Sequence, residues 1–103
     1  MLVITSDFVY GKNCEALGLV SGNTVQSTNL VKDIGAGFKS MVGGELKSYT
    51  EMMTQARQLA EDRMVEQAKS LGADAIISMR FTSGAVTQNS AEVLAFGTAV
   101  KFI

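Results

Sequence analysis

The chain has 103 residues, 47 % hydrophobic and 18 % charged, with ten glycines, one cysteine and no histidine, proline or tryptophan. Without histidine there is no Ser-His-Asp or Cys-His nucleophile, no imidazole acid or base and no His-bearing zinc site; a lone cysteine forms neither an internal disulfide nor a CxxC pair. Nine basic residues against ten acidic ones give a net charge of −1 without a basic block, so no nucleic-acid partner is expected.

The length predicts one domain over residues 1–103, with roughly 5,600 Å² of surface when folded alone. Charge is scarce beside the usual share of about 25 %, and the surplus apolar surface is expected to be covered by another copy. Apolar runs stay shorter than the roughly 18 residues a spanning helix needs, so no membrane partner is expected. Met1–Asp7 lacks a basic region followed by a long apolar stretch and does not read as a signal peptide. One unpaired thiol suits a reducing compartment, and the expected location is cytoplasmic.

Leu2–Ile4 is short, apolar and β-branched and predicts an extra N-terminal strand, followed by a turn at Gly11-Lys12-Asn13. Glu15–Val25 predicts a second strand, bent or bulged at Gly18 or Gly22. From Asn29 to Val42, Leu30, Val31, Ile34, Phe38, Met41 and Val42 recur at three- and four-residue steps, the signature of an amphipathic helix. Gly35 and Gly37 each cost that helix about 1 kcal/mol and point to close backbone approach; Gly43-Gly44 is expected to end it. Ser48-Tyr49-Thr50-Glu51 has capping-box spacing. After it, Tyr49, Met52, Met53, Ala56, Leu59, Ala60, Met64, Ala68 and Leu71 make one stripe of a helix of about 24 residues. Gly72 is its expected left-handed stop. At roughly 36 Å this helix is longer than the domain requires, and its far end is expected to meet another subunit. Asp74–Thr82 and Glu92–Ile103 alternate with period two and predict an antiparallel hairpin joined by a loop over Ser83–Ser90. Ala95, Gly97 and Ala99 put small side chains on one face, where a helix or a neighbouring chain can come near. The fold class is therefore α+β, a two-layer arrangement with a small antiparallel sheet covered by two helices.

Five stretches in order, Gly18-Leu19-Val20-Ser21-Gly22, Asn29-Leu30-Val31-Lys32-Asp33-Ile34, Val42-Gly43-Gly44, Leu71-Gly72-Ala73-Asp74-Ala75 and Phe96-Gly97-Thr98-Ala99-Val100, resemble the YbjQ-like family, whose domain is labelled "putative heavy-metal-binding". The likeness runs from Ile4 to Lys101. It implies a dodecin-like subunit with a β-α-β-β core, short extra strands that promote assembly, and a homopentameric ring. The chain departs from the family pattern at Asn23, where a glutamate is common, at Arg80 and Thr82, where two acids often alternate, and at Glu45-Leu46-Lys47, where Arg-Ser-Gly is usual. If those carboxylates ligate cations in other members, several are missing here.

Soft metal ligands amount to Cys14 and six methionines, of which Met52, Met53 and Met64 read as core filler. No metal ligand is assigned; a ring could still gather one side chain per subunit about its axis. Glu61, Asp62 and Glu66 lie within a turn and a half of helix, where Arg57, Arg63 and Lys69 supply i,i+3 and i,i+4 partners. Asp7, Glu15 and Asp33 could approach one another only through the fold. No catalytic residue is assigned, and no enzyme is expected. Neither phosphate-loop pattern is present: Gly35-Ala36-Gly37 lies inside the expected helix, and the double glycine before Ser48 is explained by helix termination. Phe8, Tyr10, Phe38, Tyr49, Phe81, Phe96 and Phe102 are the only aromatics, and without tryptophan to stack a flavin no cofactor is expected. The expectation is a non-catalytic cytoplasmic ring, acting as a scaffold or binding a small ligand or partner. Metal-ion binding is the alternative.

Overall fold

In the computed structural model, residues 1–26, 41–42, 45–87 and 90–103 are described. The chain runs through β1 (Leu2–Val3), β2 (Cys14–Gln26), β3 (Met41–Val42), β4 (Glu45–Leu46), α1 (Lys47–Ser70), β5 (Ala75–Thr87) and β6 (Ser90–Phe102). The main sheet has the order β1-β5-β6-β2, while β3 and β4 pair as a separate two-stranded sheet. β2, β6 and β5 are antiparallel neighbours, whereas β1 runs parallel to β5. The sheet is thus mixed rather than wholly antiparallel, because a strand entering from the N-terminus lies on the outer side of β5.

α1 covers one face of this sheet. Its buried positions Met52, Ala56, Ala60, Met64 and Ala68 recur at four-residue steps, and the last four of them meet Val20, Ile76, Met79, Val93, Ala95 and Ala99 in one core cluster. Alanine at three of the five contact positions lets the helix axis come close to the strands. At Gly22 of β2 the approach is closest: a β-carbon there would meet the backbone of Ala60, Arg63 and Met64. Leu59 and Leu71, expected on the stripe, are exposed instead: a row of four-residue steps drifts around the helix and leaves Leu59 at its margin, and Leu71 lies in the turn past the last helical residue, Ser70. The helix ends in a Schellman motif. Gly72 takes a φ of 78°, its N–H bonds Lys69 O at 3.0 Å, and the Ala73 N–H bonds Ala68 O at 3.1 Å. The Lys69 carbonyl is satisfied in this way, and the Ala68 carbonyl takes the Leu71 N–H as well.

Four further expectations need correction. The first predicted helix, Asn29–Val42, lies outside the described residues up to position 40. Its last two residues are strand, with Met41 opposite Leu46 and Val42 opposite Glu45. Of the two covering helices expected, α1 lies among the described residues and the other, up to position 40, outside them. α1 starts at Lys47, directly after β4, which places Ser48 inside the first turn rather than before it. The loop expected over Ser83–Ser90 is mostly strand, with pairing continuing from Ser83 opposite Val93 out to Thr87 opposite Ser90. Glycine and serine in that stretch suggested a turn, but cross-strand pairing with β6 overrides the local preference. Finally, the period-two pattern of β5 breaks at Ser78–Met79, where three steps along β5 match two along β6. The bulge puts Ile76 and Met79, not Ile77 and Met79, on the helix side.

Bulges occur where the strands must bend. One, expected at a glycine of β2, falls between Ala16 and Gly18. At the β5 bulge Ser78 has a φ of 53°, a left-handed conformation that costs a side-chain-bearing residue about 1–2 kcal/mol. Its N–H to Ser6 O at 2.8 Å and its hydroxyl to Asp7 Oδ1 at 3.0 Å hold it there.

Candidate functional site

The predicted chemistry-bearing residues are spread over the fold rather than gathered. Cys14 opens β2, half-buried and opposite Phe102. Met52 and Met64 are buried in the core under α1 and Met53 packs at its margin, the filler role expected of them. Asp7 accepts the Ser78 hydroxyl beside β1, whereas Glu15 is opposite Lys101 on β2, at the other edge of the four-stranded sheet. Asp33, Phe38 and the Gly35 to Gly37 and Gly43-Gly44 stretches lie outside the described residues. On α1, Gln58 Nε2 donates to Glu61 at 3.4 Å and to Asp62 at 2.9 Å. Arg57 bonds Thr54 Oγ1 at 3.2 Å and Arg63 bonds the Asn23 carbonyl at 2.6 Å. Arg57 thus bonds a hydroxyl one turn back on its own helix, whereas Arg63 reaches a carbonyl of the neighbouring strand. Among the described residues, no three His, Cys, Asp or Glu side chains stand close enough to hold an ion.

What the sheet does present is a second face. Opposite the helix, Leu19 and Val25 of β2 are 74 % and 52 % exposed. The register places Leu19 beside Thr98, Ser21 beside Phe96 and Asn23 beside Leu94, and continues to Ile77, Arg80 and Thr82 of β5. This face is apolar along its centre and carries one polar tie, Asn23 Nδ2 to Glu92 Oε2 at 2.9 Å. The polar residue at position 23 thus meets an acid on the neighbouring strand.

A crevice of about 170 Å³ lies beside the outer half of β5, lined by Met53, Arg57, Phe81, Thr82, Ser83 and Val93. It is smaller than the roughly 300 Å³ at which drug-sized ligand sites begin. Sequence reading missed it because α1, β5 and β6 each supply part of it, and no local pattern joins them.

The two edges of the sheet differ. On β2, the outward-facing Ser21 N–H bonds Gln67 Oε1 at 2.8 Å and the Asn23 carbonyl takes Arg63, so helix side chains take up two of that edge's outward groups. On β5, β1 pairs with Ala75 and Ile76, and the backbone bonds that continue it end at Met79 N to Ile4 O. Beyond it Phe81–Val86 is exposed.

Together these features define a small α+β domain, with one helix on one face of a mixed four-stranded sheet among the described residues. The chain belongs to the YbjQ family: the family model described as "Putative heavy-metal-binding" matches residues 1–103. Similar proteins include a UPF0145 protein of Clostridium novyi, 52 % identical over 103 residues and covering all of both chains. A UPF0145 protein of Enterococcus faecalis is 55 % identical over 102 residues, covering 99 % of this chain and 97 % of its own. A crystal structure of a DUF74-family protein of unknown function from Pediococcus pentosaceus shares the fold. It aligns with a TM-score of 0.71 at 15 % identity over 100 % of this chain and 98 % of that one.

Proposed function

We propose that the protein acts as a non-catalytic homo-oligomeric ring, a pentamer in the cytoplasm, that serves as a scaffold or holds a small ligand or partner at its subunit seams. The carrying observation is surface that a solitary subunit of this size does not need. The chain exposes 6643 Å² against the roughly 5,600 Å² typical of a folded monomer of this mass. Its radius of gyration is 16.6 Å, where about 13 Å is usual. The apolar sheet face opposite α1 adds direction to that excess, and dispersed acids support the absence of catalysis. No helix among the described residues is long and apolar enough to cross a membrane. Static light scattering at micromolar concentration tests the reading. The expected mass is that of about five chains; a stable single-chain mass overturns it.

A second reading, metal-ion binding, rests on the description attached to the family model. In this chain an ion would have to be shared between copies, with Cys14 the one thiol available. Elemental analysis of protein purified without chelator, with Cys14→Ser beside it, decides: stoichiometric metal lost in the variant supports the reading, and trace unspecific metal ends it.

A further inference from the structure

We infer that the crevice between α1 and the outer half of β5 binds a small organic anion, a carboxylate whose apolar body is one ring or a short branched chain. The inference rests on the small-ligand part of the reading above and names the class of ligand. The six lining residues belong to one chain, so it stands apart from the ring.

Two periodicities converge on the crevice. Met53 and Arg57, four residues apart on α1, share one face of the helix. Phe81 and Ser83, two apart on β5, share one face of the sheet. It is the face that α1 covers, since Phe81 lies opposite Ala95 and Ser83 opposite Val93, both members of the core beneath the helix. Val93 is 2 % exposed and Met53 packs against the same core, which gives the crevice a fixed apolar floor. Phe81 is 42 % exposed and makes an aromatic wall. Arg57 is exposed and donates from Nη2 to Thr54 Oγ1 at 3.2 Å, a bond that ties the guanidinium back to its own helix. The crevice is thus apolar below and cationic at its rim, with Thr82 and Ser83 adding polar lining.

That distribution selects the ligand. An apolar cavity of about 150 Å³ holds one benzene ring, and the crevice has about 170 Å³. A six-membered ring or a branched chain of similar bulk therefore fills it, and a nucleotide or flavin does not fit. Phe81 and the Met53 thioether favour an aromatic ring through edge-to-face and sulfur–ring contacts. Arg57 is the charged member of the lining, and a guanidinium fork matches a carboxylate with two parallel N–H···O bonds. The sign of the ligand's charge follows. A ring laid on Val93 keeps its carboxylate on the solvent side, where hydration is lost only in part; the reverse pose would press a charge onto a buried valine.

Sodium benzoate is the probe, titrated into the full chain carrying methyl-labelled methionine, with the Met53 resonance assigned by Met53→Leu. The expected result is a saturable shift of the Met53 methyl signal. Benzyl alcohol, which keeps the ring without the charge, and acetate, which keeps the charge without the ring, should each bind at least roughly tenfold more weakly. Arg57→Gln should weaken benzoate roughly tenfold, the loss of a charge-assisted bond, and leave benzyl alcohol unchanged. An absent or unsaturable shift, equal affinity for benzoate and benzyl alcohol, or an Arg57→Gln variant that binds benzoate as the wild type does overturns the inference. Far-UV circular dichroism checks that the variant folds; if it does not, the comparison of benzoate with benzyl alcohol on wild type decides. Light scattering on the same samples separates crevice from ring. A single-chain protein that binds benzoate overturns the ring and supports the crevice, and an assembled one that does not bind overturns the crevice and leaves the ring standing.

Discussion

Gly22 sets the distance between the layers. A methyl group there would run into the Ala60 carbonyl and the Met64 amide, both backbone of α1, and backbone cannot step aside as a flexible side chain does. Gly22→Ala should therefore destabilise the fold by about 3 kcal/mol, near the upper end of ordinary overpacking. The check is urea denaturation, where the midpoint should fall with the slope unchanged. An equal midpoint would mean that α1 shifts on β2 at little cost. Ser78 illustrates a different economy at the same scale. Its left-handed backbone is held by a main-chain bond and by Asp7, contacts that re-aim β5 after the bulge and put Arg80 Nη1 3.0 Å from the Thr5 carbonyl.

At the scale of elements, α1 does two jobs. Its small-residue row seals one sheet face, and its Gln67 and Arg63 reach past β2 to occupy that strand's outward groups. Gln67→Ala leaves the Ser21 N–H to water and should cost about 1 kcal/mol, the net worth of an ordinary hydrogen bond. Thermal unfolding at fixed protein concentration measures it; an unchanged midpoint would show that solvent replaces the glutamine without loss. The elements differed in how legible they were from sequence. α1 was read nearly to its true ends because Met52, Met64 and the alanines repeat with helical period and Gly72 punctuates the stop. The bulge at Gly18 was likewise within reach, glycine in a strand being a recognised bend. Ser78 carried no such mark, so the faces of β5 were assigned wrongly beyond Ile77. The run Ser83-Gly84 has turn composition, and only pairing with Val93 and Glu92 makes it strand. The crevice at Phe81 and the cover over β2 depend on contacts distant in sequence, between α1 and the strands, and periodicity carries no information about those. The readings made of Asn29–Ser40 and Gly43-Gly44 lie outside the described residues.

The whole molecule is a slab of 53 × 27 × 16 Å, a shape that exposes much surface for its mass. Subunits that assemble bind each other in the folded state only, so assembly adds stability by mass action. The midpoint of thermal unfolding should accordingly rise with protein concentration across the micromolar range. A midpoint independent of concentration would count against assembly as firmly as a single-chain mass.

Gln67 and Arg63 stopper two outward groups of β2, so that flank of the sheet has less main chain left to offer to any other chain, and shortening either side chain would uncork it.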